Sequence, residues 1–385
     1  MIVRVFGLSA LVSLAALAVA FGYAGWTGLV LCAILGILEV SLSFDNAVIN
    51  ATVLARMSDF WQRMFLTVGV IIAVFGMRLI FPLAIVWITA GLDPAEAMRL
   101  ALNPPPDGAD HFADGSPSYE LLLEEANPQI ASFGGMFLLL LFLNFVLTDR
   151  ERTWLTWLER PLGAIGKLET LSIVIAASSL LVFAQYVAAD DDRTTVLVAG
   201  LLGIIVYLLV DGLSSLFEVS GPGYEVTDTV DDTGHVHLSG PTTVTRAVGK
   251  AGFFLFLYLE VLDATFSFDG VIGAFAITAD PILIALGLGF IGAMFVRSIT
   301  IYLVRKGTLS QYRYLEHGAH WAIGALAVIL LVSIAHHIPE VITGLIGVLF
   351  IGASLLSSIR ANRRDARTAA RRQADPTGAD AGVPR

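Results

Sequence analysis

Glu39-Val40-Ser41-Leu42-Ser43-Phe44-Asp45-Asn46 has a counterpart in Asp263-Ala264-Thr265-Phe266-Ser267-Phe268-Asp269-Gly270. Both read acid-x-x-x-Ser-Phe-Asp, and both sit inside runs apolar enough to cross a lipid bilayer. A charged side chain at the bilayer centre costs about 2.5–3.5 kcal/mol on insertion scales, so carboxylates placed there twice need a cation, a proton or a partner charge. The pattern points to a cation site built from two similar halves.

The rest of the chain agrees with a membrane setting. Of its 385 residues 56% are hydrophobic and 15% charged, which excludes an ordinary soluble domain. Apolar runs of helix-spanning length centre on 4–23, 27–53, 64–90, 129–148, 169–188, 194–219, 249–277, 281–304, 319–337 and 340–359. The expected fold is therefore an all-α, polytopic transmembrane bundle of about ten helices. It occupies residues 1–359, with an Arg-rich tail over 360–385 expected to be disordered. Ala18-Val19-Ala20 resembles a signal cleavage site, but the long first run with Arg4 as its only leading charge reads as a retained helix.

Basic residues fall in alternate connections, with Arg56 and Arg63 after the second run, Arg150, Arg152, Arg160 and Lys167 after the fourth, and Arg305, Lys306 and Arg313 after the eighth. Six arginines follow the tenth, from Arg360 to Arg372. The positive-inside rule then places both termini in the cytoplasm of a bacterial-type inner membrane. Residues 220–246 fit poorly, carrying Glu225, Asp228, Asp231 and Asp232, although acidic residues weigh little in that rule. A net charge of −10 offers no surface for nucleic acid.

The repeat extends beyond one helix. Ile72-Ala73-Val74-Phe75-Gly76-Met77-Arg78 aligns with Ile291-Gly292-Ala293-Met294-Phe295-Val296-Arg297, putting a second intramembrane charge in each copy. The motif runs are the second and seventh, so they cross in opposite directions and define an inverted repeat, with halves around 25–90 and 249–305. Secondary transporters use that plan, with substrate sites near the midplane on interrupted helices. Six residues apart on a continuous helix, Glu39 and Asp45 point about 120° away from each other. A local break at Ser43, Asn46 or Gly270 would let them share a site and release carbonyl ligands.

Ser43 and Ser267 are candidate ligands beside Glu39, Asp45, Asn46, Asp263 and Asp269. Glu260 adds an acid one turn before Asp263, where the first copy has Gly36, so the half-sites are unequal. Asp211, in the sixth run, is a further candidate. These six acids face two arginines, Arg78 and Arg297, which act as supporting charges. One alternative is a structural network in which the arginines merely lock helices together. Oxygen ligands without Cys or His favour hard or intermediate cations such as Mn²⁺, Mg²⁺ or Ca²⁺. His317 and His320, three apart at the start of the ninth run, are weaker metal or proton-relay candidates, and Trp154 and Trp157 suggest an interfacial helix. Cys32 is the single cysteine, so a thiolate cluster is excluded.

Glu39-x-x-Leu42-Ser43-x-Asp45-Asn46 resembles the first signature of the TerC family of integral membrane proteins, and Asp263-x-x-Phe266-Ser267-x-Asp269 resembles its partner. Gly134-Gly135-Met136-Phe137-Leu138, Trp154-Leu155-Thr156-Trp157-Leu158-Glu159 and Leu315-Glu316-His317-Gly318-Ala319-His320 resemble a relative of that family, the domain of unknown function 475, in a likeness covering nearly all of 25–360. The resemblance implies metal-ion efflux, with manganese the best-supported substrate, an association with tellurite resistance, and a place in the superfamily of lysine-type exporters. It implies metal-site roles for Glu39, Asp45, Asn46, Asp263 and Asp269. Gly270-Val271-Ile272 departs from the family's frequent Ser-Ile-Pro, which affects the second helix break.

The expectation is a divalent-cation exporter, with Mn²⁺ and protons as its ions, the bilayer as its surroundings, and no resident cofactor. An oligomer is compatible with it. A non-transporting scaffold that supports metalation or assembly of exported proteins is the alternative. No His-Glu-x-x-His motif suggests an enzyme.

Overall fold

The computed structural model describes residues 2–105, 109–150, 152–166, 170–219, 247–275, 277–278, 280–305, 311–336 and 338–374. The side chains of Asp45 and Asp269 lie outside the described residues. Helices run α1 (Ile2–Leu42), α2 (Phe44–Ala55), α3 (Asp59–Ile71), α4 (Phe81–Ala90), α5 (Pro94–Leu102), α6 (Tyr119–Glu125), α7 (Asn127–Val146), α8 (Thr156–Ile165) and α9 (Leu171–Tyr186). They continue with α10 (Arg193–Val219), α11 (Gly249–Phe275), α12 (Pro281–Ile284), α13 (Met294–Arg305), α14 (Leu315–Ser333) and α15 (Glu340–Ala374). Nine-residue π-helical segments, Ile72–Ile80 and Ala285–Ala293, join α3 to α4 and α12 to α13.

The fold is an all-α polytopic bundle; among the described residues there are no β-strands, and seven helices are long and apolar enough to cross a membrane. Each of the ten expected runs falls on a helix. The first two share α1, which is interrupted at Ala24 and Gly25. Gly25 has φ 64° and ψ −148°, a conformation essentially reserved for glycine.

This interruption folds α1 into a hairpin. Ser9 Oγ bonds the Met294 carbonyl (2.9 Å), and Phe6 packs on Phe295 and Tyr302, so the first arm runs antiparallel to α12–α13. The second arm sets Leu35 against Gly287, Gly36 against Ile291 and Glu39 against Gly292, and runs parallel to it.

The motif helices run antiparallel. Ala247 N donates to Arg56 O (2.7 Å) at one end of the α2–α11 seam, while Glu39 at the other lies beside Gly270. The arginine-bearing helices are antiparallel too, since Gly69 faces Arg297 and Phe75 packs on Phe290. Two helix pairs related by reversal therefore enclose one buried seam. Beside it, α7 is buried almost all round, with Met136, Phe137, Leu138 and Leu140 fully enclosed, as a helix that is apolar on every face requires.

Two expectations change. The motif break forms in the first copy, where Ser43 separates α1 from α2 with φ −90° and ψ 16°, but α11 continues unbroken through Ser267, Asp269 and Gly270. The Arg-rich tail begins as helix, since α15 extends to Ala374. Its register is held by the ion pair of Arg313 with Asp365, and by Asn362 Nδ2 donating to Gln311 O (2.8 Å).

Candidate metal site

Glu39 ends the second arm of α1 at 2% exposure. The absence of side chains at Gly292 and Gly270 makes its recess. A Cβ on Gly292 would stand 2.0 Å from Glu39 Cγ, and one on Gly270 2.9 Å from Oε2. The Glu39 carboxylate accepts from Ser43 Oγ (2.9 Å) and pairs with Arg78, which also donates to Ala73 O (2.8 Å). The Glu39 charge is thus met within the first copy by Arg78.

The second half-site is left open. Glu260, Asp263 and Ser267 sit at i, i+3 and i+7 of α11, on one face, and are 4%, 8% and 4% exposed. Both Glu260 carboxylate oxygens, Asp263 Oδ2 and Ser267 Oγ have no hydrogen-bond partner among the described residues. Arg297 is near, but it donates to the carbonyls of Phe65 and Gly69 and lies over the Phe65 ring at 4.2 Å. Gly69 gives both charges room, because a Cβ there would be 2.5 Å from Glu260 Oε1 and 3.0 Å from Arg297 Nη1. Buried oxygens left without donors carry a free-energy cost that a cation or proton relieves.

Asn46 shares the buried face of α2 with Asn50, four residues on and 2% exposed. Asn50 was absent from the sequence reading, although its spacing from Asn46 is a legible helical repeat. Other expected residues separate. Asp211 is exposed and lines a different cavity with Arg56 and Tyr258. His317 and His320 diverge: His320 stacks on Phe145 (3.6 Å between centroids), while His317 turns to Glu159. Among the described residues no three His, Cys, Asp or Glu side chains form a metal-binding group. The described acids alone supply a pair, and the Asp45 and Asp269 carboxylates fall outside that set.

Glu159 is a second missed residue. It anchors α8 to the bundle, accepting from Trp154 N and Trp321 Nε1, both at 2.9 Å, with His317 Nδ1 3.1 Å away. Trp157 stays 76% exposed, consistent with the expected interfacial helix. Burial pushes the Glu159 carboxyl up, but the contacts with His317, Trp321 and Trp154 outweigh it and hold the pKa at about 2, against an ordinary 4.5. With the folded value below the unfolded one, this docking is in full force above 4.5 and is lost as pH falls to about 2. Tryptophan emission should shift across that acid window, and Glu159→Gln should abolish the shift. An unchanged titration in the variant would remove Glu159 as the anchor.

The apolar helices, the reversed helix pairs and the buried charge seam define a multi-pass α-helical membrane protein. Its family is the one described as "Protein of unknown function (DUF475)", whose match covers residues 44–365, so the chain belongs to it. No curated protein and no solved structure matches the chain.

Proposed function

We propose that the protein exports a divalent metal cation, with Mn²⁺ as substrate, across the bacterial-type inner membrane through the seam between α2 and α11. The observation that carries this reading is the second half-site, where Glu260, Asp263 and Ser267 hold buried oxygens without hydrogen-bond partners among the described residues. Carboxylate, hydroxyl and amide oxygens suit a hard or intermediate cation. The likeness of the motifs to TerC signatures supports the same reading, with Asp45 and Asp269 completing the acid set. Protons are the natural counter-ion, since neighbouring carboxylates titrate as a coupled group and take up protons when the cation leaves. The alternation of basic connections supports cytoplasmic termini.

Total manganese in a deletion strain tests this. Wild type should lower cell manganese under manganese load, and Asp45→Asn combined with Asp269→Asn should fail to do so. Rescue by the double variant would sink the carboxylate site. Restored assembly of exported metalloproteins with unchanged cell manganese would replace transport by a scaffold role.

A further inference from the structure

A cavity of about 500 Å³ lies between α2, α7, α10, α11 and the start of α14. Its wall includes Val53, Tyr207, Asp211 and Tyr258, with Arg56 at the end of α2. The charges in it are largely balanced. Arg150 pairs with Glu316 (3.5 Å) and lies over Phe145 at 3.9 Å, leaving one further arginine, Arg56, and one further carboxylate, Asp211, on the wall. Oxygens are abundant, since the Tyr207 hydroxyl accepts from Asn144 Nδ2 (3.0 Å) and Tyr258 brings a second phenol.

From the cavity wall, one face of α2 carries polar residues toward the motif. Val53, Asn50, Asn46 and Ser43 follow at helical spacings of three, four and three residues, and so form one stripe leading from the cavity wall to the motif break. Asn50 is 2% exposed and its Oδ1 has no partner among the described residues. The register that pairs Arg56 with Ala247 and Glu39 with Gly270 brings Asn46 near the height of Glu260. The stripe thus links the cavity to the level of the open half-site.

We propose that this cavity is a vestibule that receives a hydrated divalent cation from the cytoplasm, with Asn50 as the first group to exchange for its water on the way to Glu260 and Asp263. The proposal rests on the transport reading above. A near-neutral, oxygen-lined chamber suits an ion that keeps most of its waters, because it offers hydrogen bonds without a tight cage. The buried amide oxygen of Asn50, one turn beyond Val53 of the cavity wall, then starts dehydration.

The single cysteine makes the test direct. In a Cys32→Ala background, Val53→Cys, Asn50→Cys and Leu257→Cys are exposed to a membrane-impermeant methanethiosulfonate in inside-out and right-side-out vesicles. Leu257 is 37% exposed on α11 and absent from the cavity wall, so it reports on the lipid-facing surface. Only a hydrated thiol ionises readily, so Val53→Cys and Asn50→Cys should react about tenfold faster than Leu257→Cys, and from the cytoplasmic face. Added Mn²⁺ should slow Asn50→Cys, and Glu260→Gln should remove that protection. Should Val53→Cys fail to accumulate, Thr52→Cys on the same wall is read instead. Equal rates at Val53→Cys and Leu257→Cys, reaction only from the outer face, or a silent Asn50→Cys beside a reactive Val53→Cys would each overturn the vestibule. Manganese flux in the same vesicles separates the two claims. Flux without labelling keeps transport and removes the vestibule, whereas labelling without flux keeps the chamber and removes transport.

Discussion

Arg78→Ala should destabilise the protein by about 3–5 kcal/mol, the range for removing one partner of a buried ion pair. Glu39 is 2% exposed and is hemmed in by Gly292 and Gly270, so without Arg78 its charge keeps, among the described residues, the Ser43 hydroxyl as its side-chain donor. The cost belongs to the stranded carboxylate more than to the lost contact. Adding Glu39→Gln should therefore recover most of it. Thermal unfolding of the detergent-solubilised protein, followed by tryptophan emission, reads both effects. An Arg78→Ala protein as stable as wild type would show that Glu39 does not depend on that arginine.

Glu260→Gln combined with Asp263→Asn should act in the opposite sense, abolishing manganese flux while leaving the unfolding temperature equal to or above wild type. Both Glu260 carboxylate oxygens and Asp263 Oδ2 lack hydrogen-bond partners among the described residues. Neutralising them removes buried carboxylates that, although Arg297 is near, have oxygens without hydrogen-bond partners among the described residues. Functional sites commonly sacrifice stability in this way. Proteoliposome flux and thermal unfolding measured on the same preparation decide the matter. Flux that survives in the double variant would place the substrate site elsewhere, and a large drop in stability would make the acids structural.

The reversed architecture was legible because its cues are local and repeated. A hydropathic run needs no partner to be recognised, and Arg78 and Arg297 recur at matching positions. The choice of partner was not legible. Arg78 closes on Glu39 of its own copy, whereas Arg297 crosses to carbonyls of α3, and only the packed helices decide which. Gly270 shows the same limit. It invites unwinding in the sequence, yet α11 stays continuous there and the missing side chain makes room for Glu39 Oε2. Glu159 was hidden among neighbouring charges that read as surface, and its burial comes from α14, more than 150 residues away. The short helices α5 and α6 had readable starts. Asp93 accepts from Ala95 N ahead of Pro94, and Ser118 accepts from Leu121 N, both ordinary helix-start signals.

The hairpin of α1 also sets a timetable for assembly. Ser9 and its acceptor Met294 are 285 positions apart. At the usual pace of synthesis, the first arm waits about 15–60 s for the helix it grips. Glu39 and Arg78 are separated by only 39 positions and can cancel each other's charge long before that helix exists. The buried Glu39 charge is thus met early, and α11, emerging with Glu260 and Asp263, enters beside an ion pair that is already closed.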